Sequence, residues 1–170
     1  MTNVKDILLV DLNDNIQGYG EKLEIHQKGV LHRAFSVFLF DSTNKLILLQ
    51  KRASSKYHSA GLWSNACCGH PLDEMNTGWY AQKRLKEEMG IYCELTPQFK
   101  FTYHAKLDKG LIEHEIDHVY RGVFNGTPSP NPNEVEDYRW ISKMQLYDEI
   151  LAFPQQFSVW FNQVIKHYFL

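Results

Sequence analysis

Two nearly unbroken apolar runs, Ala34-Phe-Ser-Val-Phe-Leu-Phe40 and Leu46-Ile-Leu-Leu49, flank the polar turn Asp41-Ser-Thr-Asn-Lys45. A strand with one wet face alternates apolar and polar residues, whereas strands this continuous are covered on both faces. The runs predict a hairpin at the centre of a sheet, with other elements laid over each side. A chain of 170 residues has the length of one domain, and its 10 Phe, 9 Tyr and 4 Trp supply the bulk to close such a core.

The remaining elements follow from spacing. Ile7-Leu-Leu-Val10, the cluster Asp11 to Asn15 and Ile16-Gln-Gly-Tyr19 predict an N-terminal hairpin. Gly61 to Pro71 shows no period and reads as a long ordered loop of the kind that carries function. Ala81, Leu85 and Met89 form one stripe within Trp79 to Met89, and Gly90 stands where a C-cap belongs, which predicts a helix. Phe99, Phe101 and Tyr103 alternate with polar neighbours, then turn through Asp108-Lys-Gly110 into a strand from Leu111 to Phe124, a third hairpin. Asn125 to Asn133 is a proline-rich loop and Trp140 closes a last short strand. Ser142 and Gln145 have capping-box spacing for a helix to about Leu151, and Trp160 with Val164 marks a final amphipathic helix. The expected class is α+β: a mixed β-sheet sandwich flanked by helices, one compact domain over residues 1–170.

With 18 basic and 20 acidic residues the net charge is −2. That balance argues against a general nucleic-acid or membrane-surface binder, since both partners call for a basic face, and any anionic ligand must be held by local cations. No run reaches the roughly 18 to 20 apolar residues of a membrane span, and Met1-Thr-Asn-Val-Lys-Asp6 lacks a hydrophobic signal core. A cytoplasmic protein is expected, a monomer or weak homo-oligomer. Cys67, Cys68 and Cys93 are odd in number and two are adjacent, so a disulfide framework is not expected.

Chemistry concentrates in two stretches. Gly69 to Ile91 reads as a glycine loop, a helix, the pair Glu87-Glu88 and a glycine. At about 100° per residue Glu88 lies about 20° from Ala81 and about 60° from Leu85, at the edge of the buried stripe, where a carboxylate needs a partner. The stretch resembles a degenerate Nudix box, in which glutamates hold a divalent cation against a diphosphate. Met75 replaces the box's early glutamate and Lys83-Arg84 its Arg-Glu pair, which weakens a hydrolytic reading. The second stretch is Ser64-Asn-Ala-Cys-Cys-Gly-His70 with Gly61-Leu-Trp63 before it and Pro71 after it. Together with Leu31-His-Arg-Ala-Phe-Ser36 and Glu113-His-Glu115 it is similar to type I isopentenyl-diphosphate isomerases, Nudix-fold enzymes, from Glu21-Lys22 through Trp160.

The resemblance implies a tight divalent-metal site, Mn²⁺ or Zn²⁺, at His26, His32, His70, Glu113 and Glu115. The chemistry agrees: imidazole and carboxylate suit such ions, and Glu113 and Glu115, two apart on a strand, share a face on which their charges repel without a cation. It implies Cys68 and Glu115 as an acid/base pair across the isoprene unit, Tyr103 supporting Glu115, and Trp160 as an aromatic face for a carbocation. Mg²⁺ on Glu88 and the cations Lys22, Arg52, Lys56 and Arg84 are implied to bind the diphosphate of a small isoprenoid substrate. Arg52 suits phosphate oxygens with its planar fork. Nearby cations are expected to ease thiolate formation at Cys68. His58, His104, His114, His118 and His167 are read as structural, as is Cys93; Trp63 and Trp79 as core or pocket wall. A Nudix-type diphosphate hydrolase is the first alternative and a non-catalytic metal-binding module the second.

Overall fold

The computed structural model describes residues 6–74 and 76–169; Met75, the departure from the Nudix box, and Met1 to Lys5 lie outside them. Among the described residues nine strands and four α-helices follow in order: β1 (Asp6–Val10), β2 (Ile16–Glu21), α1 (Lys22–Lys28), β3 (His32–Phe40), β4 (Leu46–Arg52), β5 (Trp63–Ser64), β6 (Cys67–Gly69), α2 (Thr77–Met89), β7 (Leu95–Lys106), β8 (Ile112–Val123), β9 (Val135–Ser142), α3 (Lys143–Ala152) and α4 (Val159–Phe169). Among the described residues no helix is long and apolar enough to cross a membrane.

β3 is the hub. Along one edge it pairs in parallel with β8 from His32↔Glu115 to Phe40↔Val123, and β8 pairs antiparallel with β7. It also takes β1, with its hairpin partner β2, at Leu9↔His32 and β6 at Phe35↔Gly69 to Val37↔Cys67. The two central runs are strands buried on both faces, as their continuity requires. Phe35, Val37 and Leu39 pack with Ala81, Leu85 and Met89 of α2, while Phe38 and Phe40 pack with Trp160, Phe161 and Val164 of α4. Each such fully buried side chain contributes about 1.5 to 3 kcal/mol of transfer free energy, so this one strand anchors both layers.

The expected central hairpin is corrected, because β3 and β4 meet only at Phe40↔Ile47. Beyond that pair β4 turns away to β9 and β5. Continuous apolarity reports burial and carries no information on the pairing partner. Gly61 to Pro71, read as a loop, holds two short strands, β5 on β4 and β6 on β3, and so bridges the diverging strands. The last strand is eight residues long and follows β4 through Trp140. α1, unforeseen, is capped at both ends: Glu21 accepts from Leu23 and Glu24 amides, and Gly29 closes it in the left-handed conformation at φ 64°. Trp79 is 47% exposed, with Lys83 5.2 Å from its ring centroid, and so is neither core nor pocket wall.

Two details hold the site's frame. Gly90 caps α2 at φ 67°, and a Cβ there would come within 2.6 Å of the Ser129 carbonyl. The 125–133 loop returns the contact, as Ser129 and Asn131 donate to the carbonyls of Met89 and Glu88 at 2.9 and 2.8 Å. On the other side of the sheet Asp14 gathers Arg33 Nε at 2.8 Å, His118 Nε2 at 2.8 Å and Lys100 Nζ at 3.0 Å. Burial raises its pKa, but the hydrogen bonds from Lys100 and Arg33 win and hold it below the usual carboxylate value of 3.8. A depressed folded pKa means stability present above the unfolded value and lost as pH falls through the folded one. Asp14→Asn, which keeps a side chain tolerant of its left-handed φ of 68°, should cost about 1 to 2 kcal/mol at neutral pH, allowing for the exposed Lys100. The difference from the unsubstituted chain in urea unfolding should narrow only below about pH 4; a gap independent of pH would refute the charge argument.

Candidate active site

One cavity of about 330 Å³ opens where β3 and β4 part, and it draws its walls from both halves of the sheet. All four predicted cations line it, with Cys68, His70, Tyr103, Glu88, Glu113, Glu115 and Trp160.

His26, His32, His70, Glu113 and Glu115 each bring one ligand atom to within 4.8 Å of the others. Local structure aims them. His26 Nδ1 lies 2.6 Å from the Lys22 carbonyl one turn back on α1, and His32 Nδ1 lies 2.8 Å from the Val30 carbonyl. A carbonyl can only accept, so each Nδ1 carries a proton and each Nε2 faces inward, where a bound cation would take the place of a second proton. Glu113 Oε2 stands 3.2 Å from His26 Nε2 and 3.8 Å from His32 Nε2, while Glu115 Oε1 stands 3.3 Å from His32 Nε2 and 2.8 Å from His70 Nε2. His26 Nε2, His32 Nε2 and Glu113 Oε2 are buried with no hydrogen-bond partner of good geometry. Three orphaned buried polar atoms within a cluster of three imidazoles and two carboxylates make a donor set that fits a divalent ion.

Around this group lie Tyr103 and Cys68, which line the same cavity. Tyr103 donates to Glu115 Oε2 at 2.6 Å, which leaves Glu115 Oε1 to the histidines. Burial raises the Glu115 pKa, but the His32 contact outweighs it and holds the carboxyl below its ordinary value. Burial, then Glu115, pushes the Tyr103 hydroxyl well up, so it stays a donor. Cys68 is half-buried on β6 with Arg52 Nη1 4.0 Å from its sulfur. The expected easing of thiolate formation is corrected: burial outweighs Arg52 and pushes the thiol up to about 12. Cys68 is a protonated thiol. Its neighbour Cys67 faces the opposite way, into the α2 core.

The cations are placed but not idle. Arg52 donates from Nε to the Ser59 carbonyl and from Nη2 to the His58 carbonyl, both at 3.1 Å, and stacks 5.0 Å over Trp160. Lys22 sits 5.2 Å over the Tyr57 ring, its pKa lowered by burial against the pull of Glu113. Glu88, 4% exposed as its wheel position predicts, has one oxygen on Arg84 at 2.5 Å and the other on Gln50 Nε2 at 3.0 Å. Arg84 also meets Glu87 at 2.8 Å and Glu134 at 3.5 Å, and Glu134 pairs with Lys56. Glu134 and Gln50 were invisible to motif reading; Glu134 arrives only because the loop that caps α2 delivers it.

Of the histidines read as structural, four stay so. His114 Nδ1 donates to the Gly29 carbonyl and His118 reaches Asp14, both off the cavity; His104 lies edge-on to His114, and His167 packs on Phe99 and Phe101. His58 is the correction. It is 5% exposed, lines the cavity, and lies edge-on to Trp160 at 5.9 Å. Burial, then Arg52, pushes its pKa down to about 3. Asp117, next after Glu115 on the same face, is also buried and takes the Ser36 hydroxyl at 2.7 Å; burial, then Glu115, raises its pKa well above the usual carboxylate value. A signal for Asp117 existed, since Glu113, Glu115 and Asp117 recur at every second residue; none existed for His58.

The NUDIX domain family matches residues 30–161. An isopentenyl-diphosphate Delta-isomerase of Serratia proteamaculans is 51% identical over 160 residues, covering 94% of this chain and 89% of that one. Its counterpart in Pectobacterium atrosepticum is 50% identical, covering 92% and 87%. Among solved structures, DR0079 from Deinococcus radiodurans superposes with a TM-score of 0.79 at 15% identity over 97% of this chain and 99% of its own. The MutT protein of Methanosarcina mazei gives 0.63 at 16% identity, covering 81% and 92%. At such identities these two speak for the fold alone.

Proposed function

This chain belongs to the isopentenyl-diphosphate Delta-isomerases within the NUDIX family, and from that premise we propose that its cavity interconverts isopentenyl and dimethylallyl diphosphates by adding a proton at one carbon and removing one at another. The observation that carries the reading is that the Cys68 thiol, which burial pushes up, and the Glu115 carboxyl, which His32 holds below its ordinary value, open on the same cavity from strands on opposite edges of β3.

The reaction passes through a tertiary carbocation, so the site must donate a proton, accept one, tolerate positive charge and exclude water. Cys68 and Glu115 form the acid/base pair. Tyr103 holds Glu115 by its hydroxyl and keeps the carboxylate aimed at the substrate. Trp160, 3% exposed, closes the isoprene end and supplies a π face worth about 0.5 to 2 kcal/mol to a desolvated cation. An ionised carboxylate at about 4 Å does more at low dielectric, so Trp160 assists while Glu115 dominates. Lys22, Arg52, Lys56 and Arg84 bind the diphosphate, with Arg52 Nη1 the donor its backbone contacts leave spare. A divalent ion, Mn²⁺ or Zn²⁺, held by His26, His32, His70, Glu113 and Glu115 would supply positive charge that keeps Glu115 ionised, and Mg²⁺ at Glu88 would neutralise the diphosphate. A diphosphate hydrolase would have no use for the Cys68 and Glu115 pair.

Pure protein with isopentenyl diphosphate and Mg²⁺ in D₂O, followed by proton NMR, tests this. Dimethylallyl signals with deuterium entering substrate carbons are expected; release of phosphate or diphosphate instead would mark a hydrolase, and an unchanged spectrum with metal bound a non-catalytic module.

A further inference from the structure

Glu113 turns one oxygen, Oε2, toward His26 and His32, and the other, Oε1, toward His58 Nε2 at 3.8 Å. His58 is outside the five-residue ligand group yet stacked against it, its ring 6.1 Å from that of His26 at 27°. Ser59 Oγ lies 3.2 Å from His58 Nδ1. A hydroxyl donating there leaves the ring proton on Nε2, on the side of Glu113. At 3.8 Å the approach is longer than a hydrogen bond, but a carboxylate's last torsion is soft, so a small rotation of Glu113 brings Oε1 within reach.

The loop that presents His58 is fixed at several points. Arg52 holds the carbonyls of both His58 and Ser59. The Ser59 amide donates to Asp108 Oδ1 at 3.0 Å, beside the β7–β8 turn. Ser59 itself sits at φ 50°, a left-handed conformation that a serine keeps only when its surroundings impose it. This strain and bonding place one imidazole against Trp160, His26 and Glu113 at once.

We propose that His58 is a positioning residue that, by donating its Nε2 proton to Glu113 Oε1, holds the Glu113 carboxylate toward the metal-facing histidines. It rests on the reading of His26, His32, His70, Glu113 and Glu115 as a metal site. An outer partner fixes a ligand's orientation before the ion arrives, and losing one typically weakens metal affinity about 10- to 100-fold.

The test uses the full chain stripped by chelator, with Mn²⁺ alone as probe and no substrate, affinity being read by competition with a colorimetric chelator. His58→Phe keeps the ring shape and removes the donor; His58→Gln keeps an N–H donor at similar reach. His58→Phe is expected to weaken Mn²⁺ binding about 10- to 100-fold and His58→Gln to stay within about threefold of the unsubstituted chain. Melting of the stripped forms by circular dichroism confirms that each is folded; should the Phe variant not fold, His58→Leu takes its place. Equal affinity in the donor-free variant and the unsubstituted chain overturns the proposal. So does an equal loss in both variants, which would assign the effect to ring packing. Failure of the unsubstituted chain to bind Mn²⁺ would instead overturn the metal-site reading beneath it.

Discussion

Cys68→Ala and Glu115→Gln should each lower the rate of dimethylallyl diphosphate formation by roughly a hundred- to ten-thousandfold, the range that a positioned acid or base contributes, while Cys67→Ala should leave it nearly unchanged. The contrast between adjacent cysteines is the sharp part. β6 pairs residue by residue with β3, so Cys68 and Cys67 point to opposite faces: one into the cavity, the other, fully buried, among Leu85 and Met89. Removing the Cys67 sulfur leaves a small void and should show in urea unfolding rather than in turnover. Glu115→Gln keeps the volume and the contact with Tyr103 but cannot accept a proton. Equal loss of rate in the two cysteine variants would sink the assignment of Cys68.

Stripping the divalent ion should lower the melting temperature by about 8 to 16 °C. Five ligand groups lie within 4.8 Å, two of them carboxylates on one strand face, and Glu113 Oε2 and two imidazole nitrogens find no hydrogen bond within the protein. An ion present at about a thousand times its dissociation constant stabilises the folded chain by about 4 kcal/mol, and in a chain of this size each kcal/mol moves the midpoint by about 2 to 4 °C. His70→Ala should reduce the tightly bound metal seen by elemental analysis and shrink this difference. Coincident melts with and without chelator, at a shown metal content of one ion per chain, would refute a structural contribution from the site.

How much of this was legible beforehand depended on what kind of signal each residue offered. Period-two alternation separated Glu113 and Glu115 from His114 and His118, and the structure keeps them on opposite faces of β8. Helical phase placed Glu88 at the core's edge, where it is 4% exposed and doubly held. Burial of the two central runs was readable, but their separation after Phe40↔Ile47 was not, because pairing is decided by what else competes for each edge. α1 escaped notice since Lys22 to Lys28 is mostly polar, with only Ile25 and His26 buried, so it carries no stripe. His58 and Glu134 sit in or beside irregular segments, where no period exists to say which way a side chain faces. The thiol of Cys68 was misjudged because nearby cations can be counted in a sequence, whereas desolvation cannot.

The single bonded pair between β3 and β4 has a consequence for how substitutions combine. Most of the metal group hangs on β3 and β8, and Arg52 with Lys56 on β4 and the turn after it. Two walls braced by different neighbours relax separately, so a change on one should add to a change on the other within about 0.5 kcal/mol. Residues 63–69 are the exception, since they are bonded to both walls. Non-additive double mutants should therefore cluster in that short crossing, around Cys68.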